Sequence, residues 1–224
     1  MKTIIFDLFE TLVTEWGSYK YTNREIASDL GIDLQAFRLE SAKIQKSRYL
    51  GEITDTVQAI ELVLKNLNIR RDENLIKQIS EKRENCKRKC FDDIDPKITD
   101  LLSALKQNGC KIGLISNCSQ EEIKGLKDSA LFAYFDAVVL SCDVGLIKPD
   151  VKIYEHCSSL LNELPANCIF VGDGGSNELD GARKAGMTPL KAVWFTKHFK
   201  KDFDSDATYP LLMEPSDLNS FILS

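Results

Sequence analysis

The sequence predicts an α/β protein: a doubly wound parallel sheet whose first strand is followed by a large helical insert. Three observations carry this. Short apolar runs of four to six residues occur at the start of the chain and again beyond residue 97. Helical patterns with clear start and stop residues separate the later runs. Residues 14–92, in contrast, carry helical periodicity and almost no strand signal.

The apolar runs are Thr3–Phe6, Cys110–Ile115, Ala137–Leu140, Cys168–Val171 and Leu190–Val193. Short runs without alternation suit strands buried on both faces. Inside the insert, Thr22 and Glu25 form a capping box. Val57, Ile60, Val63, Leu64 and Leu67 then fall on one helical face, and Leu75, Ile76, Ile79, Cys86 and Cys90 continue less strictly. Asp95 is placed to cap a further helix, with Pro96 at its first position and Gly109 past its end. Ser119 and Glu122 make a second capping box, and a helix starting near Asn177 stops at Gly186. The expected division is a sheet core of residues 1–13 and 93–224, with 14–92 as a helical unit. Such a unit is either a decoration or a cap over the carboxyl edge of the sheet.

Composition narrows the function classes. The 224 residues are 43% hydrophobic and 28% charged, which is ordinary for a globular chain and excludes disordered and low-complexity classes. Twenty-nine basic against 34 acidic residues give a net charge of −5, so no nucleic-acid or anionic-membrane partner is expected. No apolar run approaches the ~18 residues of a membrane span. The apolar start is interrupted by Asp7 and Glu10 and reads as a buried strand rather than a signal peptide, which makes the cytoplasm the expected compartment. Seven cysteines, an odd number, read as reduced thiols. Cys86 and Cys90 stand four apart on a predicted helix. With His156 and His198 the sole histidines, they read as buried thiols rather than half of a zinc site.

In open α/β sheets, sites form beyond the carboxyl ends of the strands. The first run ends in Asp7-Leu8-Phe9-Glu10-Thr11 and the second in Ser116-Asn117. Lys148-Pro149-Asp150 follows the third, and Gly172-Asp173-Gly174-Gly175-Ser176-Asn177-Glu178 the fourth. Taken singly, these are a helix cap, a turn, a helix start and a loop. In register with four strand ends, they read as one polar site.

These residues resemble the haloacid dehalogenase superfamily of hydrolases. The match is carried by Asp-x-x-x-Thr, Ser-Asn, Lys-Pro and Gly-Asp-x-x-x-x-acid in that order, with Gly181 to Met187 closing the fourth motif. It covers essentially the whole chain and implies a Rossmann-like core with a helical cap of the family's first (C1) class. The resemblance implies Asp7 as nucleophile, forming an aspartyl-phosphate. Ser116 and the Asn117 backbone would bind phosphoryl oxygens, and Lys148 would neutralise charge and hold Asp7 ionised. Asp7, Asp173 and the carbonyl of Phe9 would ligate Mg2+, with Glu178 on the metal directly, through water, or on Lys148.

Two departures stand out. The family's phosphatases carry a second aspartate two residues after the nucleophile, which protonates the leaving group and activates water. Here it is Phe9. Losing a general acid costs ~10²–10⁴ in rate, least for substrates with good leaving groups. The family's haloacid dehalogenases also have an aromatic residue there, but they need no metal, and they lack the first acid of the fourth motif that this chain keeps as Asp173. The expected activity is therefore a Mg2+-dependent hydrolase of a small phosphorylated metabolite. The alternatives are a metal-independent 2-haloacid dehalogenase or an impaired member that binds a phospho-ligand. Glu10 is the second departure: either a solvent-facing loop residue or a partial replacement for the missing acid. Trp16 and Tyr19 are expected to line an apolar substrate pocket or to pack the insert on the core. Arg48 and Tyr49 are further candidates by position, and Lys197 to Lys201 read as a solvated basic loop. The oligomeric state is left open.

Overall fold

The computed structural model describes residues 2–16, 20–201 and 208–222. Its strands are β1 (Thr3–Phe6), β2 (Lys111–Ser116), β3 (Ala137–Leu140), β4 (Cys168–Gly172), β5 (Thr188–Ala192) and β6 (Leu211–Leu212). They form one parallel sheet in the order β3-β2-β1-β4-β5-β6. The chain therefore winds outward from β1 to one edge, returns to β1's other side at β4, and winds to the opposite edge. The strand order reverses at β1, where open sheets form their crevice.

Alternate side chains send the sheet into two cores. Ile4, Phe6, Ile112, Leu114 and Val171 face one core, closed by Ile98, Leu101, Leu102 and Leu105 of α5 (Pro96–Gln107). Ile5, Ile115 and Phe170 face the other, closed by α7 (Val151–Leu160) and α8 (Glu178–Lys184). Each buried Leu or Ile contributes roughly 1.5–3 kcal/mol. The cap of α5 forms as the sequence indicates: the Asp95 carboxylate accepts the Lys97 amide at 2.9 Å, with Pro96 in the first turn.

The insert contains α1 (Asn23–Leu30), α2 (Leu34–Tyr49), α3 (Thr56–Asn66) and α4 (Glu73–Asp92). The Thr22–Glu25 capping box starts α1. Ile26, Leu30, Phe37, Ile60, Val63, Leu64, Ile76 and Ile79 build a third apolar cluster among these four helices. Cys90 and Phe91, at the end of α4, belong instead to the core under the sheet. Four ion pairs join the helical layer to the segment after β2: Arg48 to Glu121, Lys87 to Glu122 at 3.0 Å, Glu84 to Lys124 at 2.7 Å and Arg88 to Asp128 at 3.9 Å. All seven cysteines are free. Among the described residues, no helix is long and apolar enough to cross a membrane.

Three sequence expectations are modified. The Ser119–Glu122 box forms, but it opens a single 3-10 turn (Gln120–Glu122) rather than a helix. Gly125 follows, and its Cα lies so close to the Phe91 ring that a Cβ would sit 2.9 Å away. Glycine costs a helix about 1 kcal/mol, and this packing fixes the backbone instead. The fifth strand starts at Thr188, two residues early. The sixth is two residues long, too short to leave a pattern.

Gly51 closes α2 at φ +75°, and a Cβ there would lie 2.1 Å from the Cys142 carbonyl on α6 (Ser141–Val144). Gly51→Ala therefore combines left-handed strain with a backbone clash. We expect it to destabilise the protein by about 2 kcal/mol or more, read as a lower midpoint in urea unfolding.

Candidate active site

The site begins one residue past β1. The Asp7 amide donates to the Val171 carbonyl at 2.9 Å, extending the pairing with β4 and fixing Asp7 at the strand reversal. Its carboxylate is buried. Oδ1 accepts from the Lys148 ammonium, and Oδ2 accepts the Thr11 hydroxyl at 3.4 Å. Thr11 comes back because the Leu12 and Val13 amides both donate to the Leu8 carbonyl, at 2.8 and 3.0 Å. That tight return places Glu10 at φ 59°.

Lys148 is held at both ends. Its amide donates to Asn117 Oδ1 at 2.8 Å, and Asn117 Nδ2 donates back to its carbonyl at 2.9 Å. Its buried ammonium bridges Asp7 Oδ1 and Glu178 Oε2. Glu178 opens α8 and takes the Gly174 amide on Oε1 at 3.1 Å. Tyr154 on α7 donates its hydroxyl to the Glu178 carbonyl at 2.8 Å. Two glycines permit this packing. A Cβ on Gly172 would lie 2.2 Å from Glu178 Oε1, and one on Gly181 would lie 2.8 Å from the carbonyl of Pro149, next to Lys148.

Asp173 directly follows β4. Its Oδ1 accepts the Gly175 amide at 2.8 Å and its Oδ2 the Lys200 ammonium at 3.1 Å. Gly174, Ser176 and Asn177 all take positive φ values, 93°, 55° and 55°, to turn the chain from β4 into α8. Left-handed non-glycine residues are uncommon and concentrate at functional loops. Ser116, the last residue of β2, is fully buried, and its hydroxyl has no hydrogen-bond partner among the described residues.

The electrostatics follow from crowding. One oxygen each from Asp7, Asp173 and Glu178 lies within 4.8 Å of the others. Three carboxylates thus meet two ammonium groups, Lys148 and the half-exposed Lys200. Burial, then the Asp7 charge, push the Glu178 carboxyl up to about 8, against the pull of Lys148. Burial raises Asp7 as well, opposed by Lys148 and reinforced by Asp173. Burial opposes the Lys148 charge, but Asp7 and then Glu178 outweigh it and hold the amine protonated. A compact all-oxygen donor set fits a hard divalent cation such as Mg2+. The orphaned Ser116 hydroxyl fits an oxyanion ligand alongside it.

Of the expected residues, Asp7, Ser116, Asn117, Lys148, Asp173 and Glu178 gather at the strand ends. Phe9 is half-buried: its ring meets Phe91 edge-on at 6.4 Å, and the Lys87 ammonium lies 5.8 Å from its centre. Glu10 does not face solvent freely. Its Oε2 accepts the Thr14 hydroxyl at 2.6 Å and its Oε1 the Glu15 amide at 3.1 Å, and burial raises its pKa. Trp16 is half-exposed and stacked on Phe199 at 4.2 Å, with the Lys20 ammonium 3.1 Å from its ring centre. Tyr19 lies outside the described residues. Arg48 donates to Ser119 Oγ at 3.4 Å besides its pair with Glu121. The basic run is not simply solvated, since Lys197 pairs with Glu214 at 2.6 Å and Lys200 with Asp173. Tyr154 and Lys200 are the contributors that the sequence did not single out. Tyr154 sits in an ordinary apolar helix face, and Lys200 among other lysines.

Residues 1–186 match the haloacid dehalogenase-like hydrolase family. The chain belongs to this family of hydrolases. Pyrophosphatase PpaX of Bacillus anthracis is 29% identical over 129 residues, 54% of this chain and 59% of PpaX, so the match spans little more than half of that relative. Among solved structures, the 2-haloacid dehalogenase of Pseudomonas syringae pv. Tomato DC3000 superposes with a TM-score of 0.69 at 18% identity, covering 100% of this chain and 98% of that one. A HAD family enzyme of Bacteroides thetaiotaomicron, in complex with magnesium and inorganic phosphate, superposes with a TM-score of 0.64 at 18% identity, covering 86% and 94%. Likeness at this identity establishes the fold, which a dehalogenase and a magnesium–phosphate complex share.

The raised Glu178 makes a thermodynamic prediction for the metal-free protein. Folded Glu178 keeps its proton up to about 8, whereas the unfolded side chain loses it near 4.5. The unfolded state therefore binds fewer protons across that window, and stability falls as pH rises through it. In chelator, the melting temperature should decline from pH 5 to pH 8, and Glu178→Gln should flatten the decline. A wild-type profile rising over this range would show that Glu178 folds ionised.

Proposed function

We propose that this chain is a Mg2+-dependent hydrolase of a small phosphorylated metabolite, working through an aspartyl-phosphate on Asp7. The observation that carries this is the buried Asp7 carboxylate, gripped on one oxygen by Lys148, beside the unpartnered Ser116 hydroxyl and the Asp173 carboxylate. With Oδ1 committed to Lys148, Oδ2 is the attacking oxygen. It forms a bond to phosphorus as the bond to the leaving oxygen breaks. Water then cleaves the acyl phosphate, releasing inorganic phosphate and regenerating Asp7. Lys148, Ser116 Oγ and the Asn117 amide stabilise the phosphoryl oxygens, and Asn117's side chain positions Lys148. Mg2+, held by Asp7, Asp173 and the Phe9 carbonyl, would neutralise phosphoryl charge. Glu178, with both oxygens engaged by Lys148 and the Gly174 amide, orients the lysine.

Residues 14–92 act as the cap in this reading. Arg48 and Lys87 reach from it to the glutamates following the Ser116-Asn117 loop, which supports the assignment. PpaX and the magnesium–phosphate complex favour phosphoryl chemistry. One observation favours a second reading: the aromatic Phe9 suits a 2-haloacid dehalogenase, whose halide needs no proton. Assays of an aryl phosphate and of 2-chloropropionate, with and without chelator, separate them. Phosphate release that stops in chelator supports the hydrolase. Chloride release indifferent to chelator would replace it, and ligand binding without turnover would mark an impaired member.

Asp7→Asn should lower turnover roughly 10³-fold or more with the melting curve of a folded protein; retention of a tenth of the activity would remove Asp7 from the covalent role. The Phe9 ring cannot donate a proton, and both Glu10 oxygens are held inside their own loop. Rate should therefore rise steeply with leaving-group acidity across a series of aryl and alkyl phosphates, and Phe9→Asp should flatten the series. A series already flat in the wild type, with chemistry rate-limiting, would assign proton donation to another group, with Glu10→Gln the variant to examine.

A further inference from the structure

Both oxygens of the Asp173 carboxylate accept a hydrogen bond. Oδ1 is taken by the Gly175 amide at 2.8 Å, within the turn that carries the residue. Oδ2 is the remaining oxygen, and the Lys200 ammonium is on it at 3.1 Å. Lys200 reaches Asp173 from the turn that follows β5. That turn is braced: the Lys200 and Phe199 amides both donate to the Thr196 carbonyl, at 2.8 and 3.1 Å. Phe199, the preceding residue, stacks on Trp16 with the ring planes 19° apart. Lys20, at the start of the helical insert, covers the opposite face of the same indole.

We infer that Lys200 is the resident counter-ion of Asp173, and that Mg2+ reaches this carboxylate by displacing its ammonium. The inference rests on the magnesium reading above. An ammonium and a divalent cation on the same carboxylate repel each other, so Lys200 lowers the apparent affinity of the metal. Its side chain is 46% exposed against 11% for Asp173, so the released ammonium moves into water without a burial penalty. The pair is thus of the weak, exchangeable kind, and removing it should change affinity by about fivefold rather than by orders of magnitude. Because Lys200 and Phe199 share one braced turn, the displacement also disturbs the stack on Trp16. Lys200 is a positioning residue for the metal, linked through Phe199 to the start of the insert.

The test is calorimetric titration of Mg2+ into the full chain as wild type, Lys200→Gln and Lys201→Gln, with tryptophan fluorescence followed in parallel. Lys201→Gln removes the same charge one residue away. Trp194 is buried, with its indole N–H on the Thr11 carbonyl at 2.8 Å, and Trp16→Phe isolates the Trp16 signal. Expected are Mg2+ binding about fivefold tighter in Lys200→Gln, near-wild-type binding in Lys201→Gln, and a Mg2+-dependent Trp16 signal that Lys200→Gln abolishes. Equal Mg2+ affinity in wild type and Lys200→Gln would overturn the inference and leave the magnesium reading standing. Tightening of the same size in both lysine variants would reduce Lys200 to a diffuse charge and also overturn it. Absence of Mg2+ binding in all three proteins would remove the magnesium reading itself.

Discussion

A single ammonium group, that of Lys148, sits buried between Asp7 and Glu178. An uncompensated charge at that depth costs several kcal/mol, and two carboxylates with further hydrogen bonds are what make it tolerable. Each neighbouring feature serves that arrangement. The reversal of strand order puts β1 beside β4, so Asp7 and the start of α8 meet. Asn117 holds the lysine's backbone from the end of β2. Gly172 leaves room for the Glu178 carboxylate, and Gly181 lets α8 lie against Pro149. The site is therefore a tertiary object, drawn from four separated stretches of chain and absent from any one of them.

Much of this was legible in the sequence because it rests on local rules. Strands β1 and β3 have the bounds that their apolar runs indicate, and Asp95 and Thr22 cap the helices that they precede. The polar residues at four strand ends could be aligned because a parallel sheet puts all its carboxyl ends on one edge. What was not legible depends on distant partners. Tyr154 looks like any apolar helix residue until α8 supplies a carbonyl for its hydroxyl. Lys200 is one lysine of several until Asp173 is found opposite. The Ser119–Glu122 box promised a helix by local rules, and close packing of Gly125 on Phe91 decided otherwise.

Backbone strain concentrates where those local rules are overridden. Glu10, Ser176 and Asn177 adopt left-handed conformations in the two loops that flank Asp7 and Asp173. None is glycine, and each costs of order 1 kcal/mol or more. The surrounding bonds hold them there: the Leu8 carbonyl taking two amides in one loop, and Glu178 and Asp173 each taking a glycine amide in the other. The same constraint occupies the Glu10 carboxylate. Both of its oxygens accept hydrogen bonds, from the Thr14 hydroxyl and the Glu15 amide.

The contact between the helical layer and the sheet has a mixed character. Phe91 reaches into the core, but Arg48 meets Glu121, Lys87 meets Glu122 and Lys124 meets Glu84 as ion pairs. Desolvated charge pairs are nearly balanced against water, which can rehydrate both partners when they separate. An oily seam has no such substitute, since parting it exposes surface that water cannot satisfy. A joint built this way can be opened and remade many times at small net cost, and it closes in one register because each cation has its own anion to find.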